Sequence, residues 1–445
     1  MARLPICEAV IKYAEKDTAR FHMPGHKGML DPLDVTEVPG TDNLHSPSEA
    51  ILESEKLCAN ALGAKDAFFV VNGSTACNMA MLFSAGFGSR VLLGRDCHKS
   101  AINAIALSGQ DTAPLFPNED GVYTAEAVEA ALKENHCDAV FITSPTYRGA
   151  VSPIADIAAV CKKYGAKLLV DSAHGAHFAF TDKLPPIPSQ ADMWCVSTHK
   201  TLEALTQTAV LLTGKDSDLT RSEVQRILNV VQSTSPSYIL MRSIERSVLE
   251  PMDWDSHIER IGKLIERLDG IDGIKLLGSR DRSKQDITRL NISAAGITGH
   301  CFGKALEERG VYPEMADAEC VTLITSPADK DEWYSRLVSS IESLGLNESS
   351  RSEMSSSTSI YSLYRGDTAM SVREALTGNI EYVDFAEAEG RVSAQAVGCY
   401  PPGTAILFPG ERILPRSVRF LLHEEKNGAD LFGLVGRRIA VVKER

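Results

Sequence analysis

Lys200 follows a short apolar run at 193–196 that reads as a buried strand, and it shares the loop beyond with Ser197, Thr198 and His199. Open α/β folds bind ligands outside the carboxyl ends of their strands. An amine in that place can form a Schiff base with an aldehyde cofactor. The hydroxyls and imidazole beside it can hold a phosphate. The plainer alternative is an exposed lysine on an ordinary loop. Upstream, a second apolar strand at 167–170 runs into Asp171, which puts a carboxylate at the same mouth. Pyridoxal phosphate needs such a carboxylate against its ring nitrogen, because a protonated ring accepts electrons better. The plainer alternative for Asp171 is a helix cap or a turn.

Other residues of suitable chemistry also stand at strand ends. The spacing predicts a strand over 67–71, a turn at Asn72-Gly73-Ser74-Thr75 and a helix over 76–85. Ser74 and Thr75 then meet the free N–H groups and positive dipole end of that helix, which is a phosphate cradle. N-capping by Ser74 uses the same geometry. A strand over 90–93 ends near His98. Its flat imidazole can stack on a ring or move a proton near neutral pH, or merely cap the helix predicted from Ser100. A strand over 138–143 leads to Ser144-Pro145-Thr146-Tyr147, a helix over 154–164 returns to the Asp171 strand, and a strand over 209–212 follows Lys200. This alternation predicts an α/β fold whose mostly parallel sheet carries helices on both faces. Helices over 219–231, 237–249 and 255–268 complete a large cofactor-binding domain, residues 1–270, with an arm at its N-terminus. Strands at 274–277, 287–293 and 321–325 and a helix at 301–309 predict a small α+β domain over 271–345. Residues 346–358, rich in Ser and Glu, read as an exposed linker, and 359–445 as a C-terminal domain.

Bulk properties narrow the class. A chain of 445 residues, 44% hydrophobic and 24% charged, suits a soluble enzyme of two or three domains. The net charge of −13 speaks against a nucleic-acid partner and suits a cationic small substrate. Ten cysteines without a C-x-x-C pair indicate free thiols in a cytoplasm, not disulfides or zinc. No N-terminal apolar run is long enough for a signal peptide or a membrane span. His22, His26 and Lys27 share one Gly- and Pro-rich loop, but their spacing is no standard zinc pattern, so no metal is expected.

A strand-end aspartate followed by a strand-end lysine is the order seen in fold-type I pyridoxal phosphate enzymes. The chain resembles one family of them, the bacterial ornithine/lysine/arginine decarboxylases. The matching stretches are His22-Met23-Pro24-Gly25-His26-Lys27-Gly28, Asp42-Asn43-Leu44-His45, Phe69-Val70-Val71-Asn72-Gly73-Ser74-Thr75 and Asp96-Cys97-His98-Lys99-Ser100. Ser144-Pro145-Thr146-Tyr147, Asp171-Ser172-Ala173-His174 and Ser197-Thr198-His199-Lys200 continue the series, and Ser233-Thr234-Ser235-Pro236-Ser237-Tyr238 and Tyr400-Pro401-Pro402-Gly403 close it. Each is short; their number and order carry the likeness over nearly the whole chain. Asn43 departs from the paired aspartates of many relatives.

The resemblance implies a fold-type I large domain that binds pyridoxal phosphate through Ser74, Thr75, His98, Thr146, Asp171, Ala173, His174, Ser197, His199, Lys200, Ser233 and Thr234. Lys200, His98 and Asp171 are the expected catalytic residues, with His98 stacked on the pyridine ring. The segment around His22 and His26 is expected to be an active-site arm at the substrate. The loop holding Ser233 and Thr234 is expected to come from a partner subunit, so that a homodimer or larger homo-oligomer shares its sites. The implied protein is a cytoplasmic decarboxylase of polyamine biosynthesis, of the short form without the longer members' receiver-like domain. Its substrate is a basic amino acid, whose cationic side chain needs a carboxylate at the far end of the pocket. Glu411, in a loop fixed by Pro409 and Gly410, is the expected partner, with Asp317 and Glu319 behind it. A bidentate carboxylate favours arginine over lysine or ornithine. The cofactor residues alone would serve an aminotransferase or an aldolase equally. Arg391 and Arg412 are the candidates for a carboxylate-binding arginine in that case. A catalytically silent relative that only binds partners is the more distant alternative.

Overall fold

The computed structural model describes residues 2–279, 281–346, 366–400 and 403–444. Helices α1 (Pro5–Ala14) and α2 (Ala50–Ala61) flank an irregular arm. There follow β1 (Asp66–Val70), α3 (Gly73–Ser84), β2 (Arg90–Gly94), α4 (Lys99–Ser108), β3 (Asp111–Leu115), α5 (Ala125–Glu134) and β4 (Ala139–Thr143). Next come α6 (Ile154–Tyr164), β5 (Lys167–Asp171), β6 (Met193–Val196), the single turn α7 (Thr198–Thr201) and β7 (Ala209–Thr213). The strands form one sheet in the order β1-β7-β6-β5-β4-β2-β3. β2 to β6 run parallel. β7 is antiparallel to both its neighbours, so β1 points the same way as the parallel set. Residues 197–208 carry only one helical turn, which cannot lie along the sheet as a crossover helix does. The chain therefore turns straight back as β7.

Alternate strand residues feed two cores. Phe69, Leu92, Val140, Ile142, Leu168, Val170, Trp194 and Val210 point to one face. Phe68, Val91, Leu93, Phe141, Leu169, Met193, Cys195 and Leu211 point to the other. A sheet covered on both faces is why these strands read as unbroken apolar runs. Each such side chain, fully withdrawn from water, contributes roughly 1.5–3 kcal/mol. The sheet is thus a rigid platform, and the loops at its carboxyl edge inherit that rigidity.

Helices α8 (Arg221–Val231), α9 (Tyr238–Leu249) and α10 (Trp254–Asp269) come next. A capping box at Thr220 and Glu223 starts α8. α10 serves two cores: Trp254 packs in the large domain, and Ile261, Leu264 and Leu268 pack in the next unit. That unit holds β8 (Ile274–Leu277), β9 (Arg289–Ala294), α11 (Gly299–Glu307), β10 (Met315–Ala316), β11 (Val321–Ile324) and α12 (Asp331–Glu342). Its sheet, β10-β11-β9-β8, is antiparallel throughout. The expected linker at 346–358 lies, beyond Leu346, outside the described residues. In the C-terminal lobe, Phe385, Val397, Ile406, Leu421, Ile439 and Val441 form a small core. Val372, Ala405 and Phe408 anchor the lobe into the large domain. Among the described residues, no helix is long and apolar enough to cross a membrane.

Candidate active site

The carboxyl ends of β2, β4, β5 and β6 deliver His98, Tyr147, Asp171 and Lys200 to one edge of the sheet. Asp171 is buried, 3% exposed. Its Oδ2 accepts from Asn78 Nδ2 at 2.7 Å, its Oδ1 from the Ala173 N–H at 3.1 Å, and the Cys195 thiol lies 3.7 Å from Oδ1. Asn78 Nδ2 also donates to the Ser100 hydroxyl at 2.9 Å, and that hydroxyl lies 2.8 Å from His98 Nδ1. The Ser100 N–H reaches the same Nδ1 at 3.2 Å. A backbone N–H can only donate, so Nδ1 is an acceptor and the imidazole carries its proton on Nε2. Burial holds the His98 imidazolium below its ordinary range, against the pull of Asp171. Asn78 thus connects the carboxylate to the ring. Sequence reasoning missed it because an asparagine inside a helix carries no local mark of function.

Lys200 Nζ lies 3.1 Å from His174 Nε2. Burial lowers the Lys200 ammonium from the ordinary lysine range, although Asp171 pulls the other way. Arg289, at the start of β9, approaches His174 from behind: its Nη2 is 3.2 Å from Nδ1 and 3.4 Å from the carbonyl. The Tyr147 ring stands edge-on to the His174 ring at 4.7 Å and donates its hydroxyl to Glu314. Arg289 and Glu314 were not foreseen. Both lie more than a hundred positions beyond Asp171, in a unit whose fold alone brings them here.

The start of α3 is open. Its N-cap residue, Asn72, makes no side-chain capping bond; Asn72 Oδ1 instead accepts from the Ser233 N–H at 3.1 Å. Ser74 lies inside the first turn, so the N-capping alternative for it does not hold. Its hydroxyl is 3.0 Å from that of Ser197, and Thr75 is exposed beside it. Gln207 holds a left-handed φ of 81°, rare for a residue other than glycine. Its carbonyl accepts from the Gly73 N–H at 2.9 Å and its amide donates to Val71, bracing the turn. His199 Nδ1 donates to the Thr208 carbonyl at 2.8 Å. Ser233 and Thr234 are exposed, with the Ser233 carbonyl accepting from His45 at 2.8 Å.

Other expected residues are engaged elsewhere. Thr146 closes a turn by accepting from the Ala150 N–H at 3.0 Å. His22 and His26 find partners within the arm's own neighbourhood, Tyr13 and Asp34. Glu411 does not present a free carboxylate: it pairs with Arg95 at 3.1 Å, accepts from the Phe408 N–H at 3.0 Å and is 7% exposed. Its Gly- and Pro-fixed loop serves a buried ion pair that ties the C-terminal lobe to the loop after β2. Asp317 and Glu319 both pair with Arg148. Arg391 pairs with Glu381, and Arg412 with Asp367 at 3.5 Å. Among the described residues no cluster of three His, Cys, Asp or Glu could hold a metal ion.

The sequence matches two parts of one family description: Orn/Lys/Arg decarboxylase, major domain, over residues 4–278, and its C-terminal domain over 357–434. It is 31% identical over 452 residues to the uncharacterized protein YaaO of Bacillus subtilis, which covers 94% of this chain and 93% of that one. It is 30% identical over 469 residues to the arginine decarboxylase of the same species, covering 96% and 95%. The solved structure of the E. coli constitutive lysine decarboxylase shares the fold, with a TM-score of 0.82 at 18% identity over 99% of this chain and 82% of that one.

Proposed function

The chain belongs to the Orn/Lys/Arg decarboxylase family, and from that premise we propose that it is a pyridoxal phosphate enzyme that removes the α-carboxylate of arginine, with lysine or ornithine as the next choices, as carbon dioxide. The observation that carries the cofactor reading is Asp171. An ionised carboxylate offers about four lone-pair sites; Asn78 takes one on Oδ2 and Ala173 one on Oδ1, with the Cys195 thiol placed between Asp171 Oδ1 at 3.7 Å and Asn78 Oδ1 at 3.5 Å. One site on Oδ2 remains for a ring N–H. The uncapped first turn of α3, with Ser74 and Ser197 side by side, suits a phosphate by donor type and by helix dipole.

The residues present therefore fit the group. Lys200 would hold its aldehyde carbon, Asp171 its ring nitrogen, and Ser74, Thr75, Ser197 and His199 its phosphate. Bound there, pyridoxal phosphate supplies an electron-accepting ring that stabilises the carbanion left when carbon dioxide departs. Asp171 keeps the ring nitrogen's proton in place. His98 forms a flat wall and holds a proton at Nε2, from which it can donate to a substrate oxygen or return a proton to the α-carbon. The Lys200 amine, at the same edge of the sheet, would be a second group able to deliver that proton.

For the substrate's cationic end, Glu314 replaces Glu411 as the partner. Glu314 is exposed, accepts from Tyr147, and its charge acts on Lys200. Ten unpaired cysteines suit a cytoplasmic setting, and the amine product suits polyamine formation. The exposed Ser233 and Thr234 support a homodimer with shared sites. The test is product analysis with arginine, lysine and ornithine in turn. Carbon dioxide with the matching amine is expected; a keto acid would turn the reading to an aminotransferase.

A further inference from the structure

We propose that Arg289, acting through His174, holds the Lys200 amine uncharged before it meets its aldehyde. The inference rests on the reading of Lys200 as the cofactor-holding amine and adds a positioning residue to it. The Arg289 side chain is wholly buried, with no exposure. It is shut away from substrate, and its hydrogen-bonded route to Lys200 runs through His174. Asp286 Oδ2 steadies it, 3.6 Å from Nε, and Asp286 is itself held by His177 at 3.1 Å.

The donor and acceptor rules then leave one arrangement. A guanidinium only donates and keeps its proton. Its Nη2 lies 3.2 Å from His174 Nδ1, so Nδ1 must accept. A neutral imidazole has one acceptor and one donor, which puts the remaining proton on Nε2. Nε2 faces Lys200 Nζ at 3.1 Å. An ammonium has only donors and would meet that N–H head on; a neutral amine offers a lone pair to it. A doubly protonated imidazole would turn a second N–H against the guanidinium.

The surrounding charges are mixed. Asp171 and Glu314 favour an ammonium at Lys200, Arg289 opposes it, and the Cys195 thiol stands nearby. Around His174 stand Lys200, Arg289, His98 and His177, all opposing a charge on the ring. Burial presses both groups towards neutrality as well. The result is an amine that can attack a carbonyl at neutral pH without first losing a proton to water.

The test uses the full chain freed of cofactor. Reductive methylation with isotopic formaldehyde across a pH series, read at Lys200 by peptide mass spectrometry, gives the midpoint of its protonation. The exposed Lys215 is the internal reference. Lys200 is expected to label fully already at neutral pH, where an ordinary exposed lysine, at about 10.4, is still protonated and labels slowly. Arg289→Met is expected to move the Lys200 midpoint up by about a unit, a roughly tenfold loss of labelling on the rising limb. Arg289→Lys, which keeps donor and charge, is expected to retain most of the depression. In a His174→Phe background, Arg289→Met is expected to add little. An unchanged midpoint in Arg289→Met, or an equal shift with and without His174, overturns the proposal. Should that variant fail to fold, nitrogen-15 NMR of His174 in the unaltered chain decides: a proton on Nε2 sustains the relay and one on Nδ1 overturns it. Pyridoxal phosphate uptake is scored separately by absorbance, so a failure of the functional reading stays distinct from a failure of the relay.

Discussion

At the scale of single residues, the site separates three tasks that one lysine cannot perform alone. In the proposed reading Lys200 supplies the amine, Asp171 a fixed negative charge, and His98 a ring with its proton on Nε2. Lys200→Ala is expected to abolish turnover with the far-ultraviolet spectrum and melting temperature little changed, since its half-buried side chain fills no core. Normal turnover in that variant would remove the lysine from the chemistry. Asp171→Asn keeps the shape but removes the charge, and a rate loss on the order of a hundredfold is expected, close to 3 kcal/mol of transition-state stabilisation at about 1.4 kcal/mol per factor of ten. Glu314→Gln is expected to raise the Michaelis constant for the basic amino acid more than it lowers the turnover number, the pattern of a group that binds substrate and transition state alike. Unchanged kinetics would return the substrate's cationic end to an unknown partner. Lys200, Asp171 and His98 were legible as candidates because each ends an apolar strand and has a side chain suited to the proposed cofactor. Asn78, Arg289 and Glu314 were not. Asn78 sits within a helix, and the other two enter from the small unit, where nothing local distinguishes them from surface polar residues. Glu411 was read as a pocket carboxylate; a backbone fixed by proline and glycine suits its buried ion pair with Arg95 as well as it suits a pocket.

At the scale of elements, the contact between the small unit and the large domain is polar where it meets the site. Asp286 and Arg289, at the entry to β9, face His177 and His174, on the segment after β5. Burial alone would raise the Asp286 carboxyl, but His177 and Arg289 outweigh it and hold it at about 2. In the unfolded chain an aspartate titrates at about 3.9. The folded value is the lower one, so this pair's stabilisation is present above about pH 4 and is lost as pH falls through about 2. Urea unfolding across that range is expected to show the loss, and Asp286→Asn is expected to remove its pH dependence. The same variant leaves a buried guanidinium without its counter-charge and is expected to cost about 3–5 kcal/mol at neutral pH. A variant as stable as the parent would show that His177 and Arg289 need no such partner. The strands of the sheet were legible because two buried faces make continuous apolar runs. The direction of β7 was not, since a strand's polarity follows from the length and geometry of its connection and not from its composition. The start of α3 was placed three residues late because Gly73, with φ of 69°, reads as a turn while already opening the helix.

At the scale of the whole molecule, the proposed phosphate site can be completed by the loop at Ser233 of the same chain or of a second one. The Ser233 backbone is pinned to Asn72 and His45 of its own chain, yet Ser233 and Thr234 are both exposed, the Ser233 hydroxyl accepting from the Ser235 N–H at 3.2 Å. Two hydroxyls held in a fixed loop and left unburied are suited to a ligand or a neighbour, and the first turn of α3 beside them lacks a side-chain cap. If the loop serves a neighbouring subunit, each site draws on two chains and the smallest active species is a closed pair. Thr234→Asp places a negative charge against the phosphate and is expected to disable every site that uses that loop. Lys200→Ala disables every site built on that lysine. In a mixed pair, the chain carrying Thr234→Asp keeps its own Lys200 and receives an intact loop from its partner, so one of its two sites is whole. Random pairing makes about half of the dimers mixed, and about a quarter of all sites is then expected to regain activity. If the loop serves its own chain, neither site of the mixed pair is complete and no activity returns. The measurement is therefore turnover after dissociating and reassociating the two inactive proteins, with mixed pairs counted by native mass spectrometry. Mixed pairs without activity would assign Ser233 and Thr234 to their own subunit, consistent with the bond to Asn72, and would leave the dimer without a catalytic role.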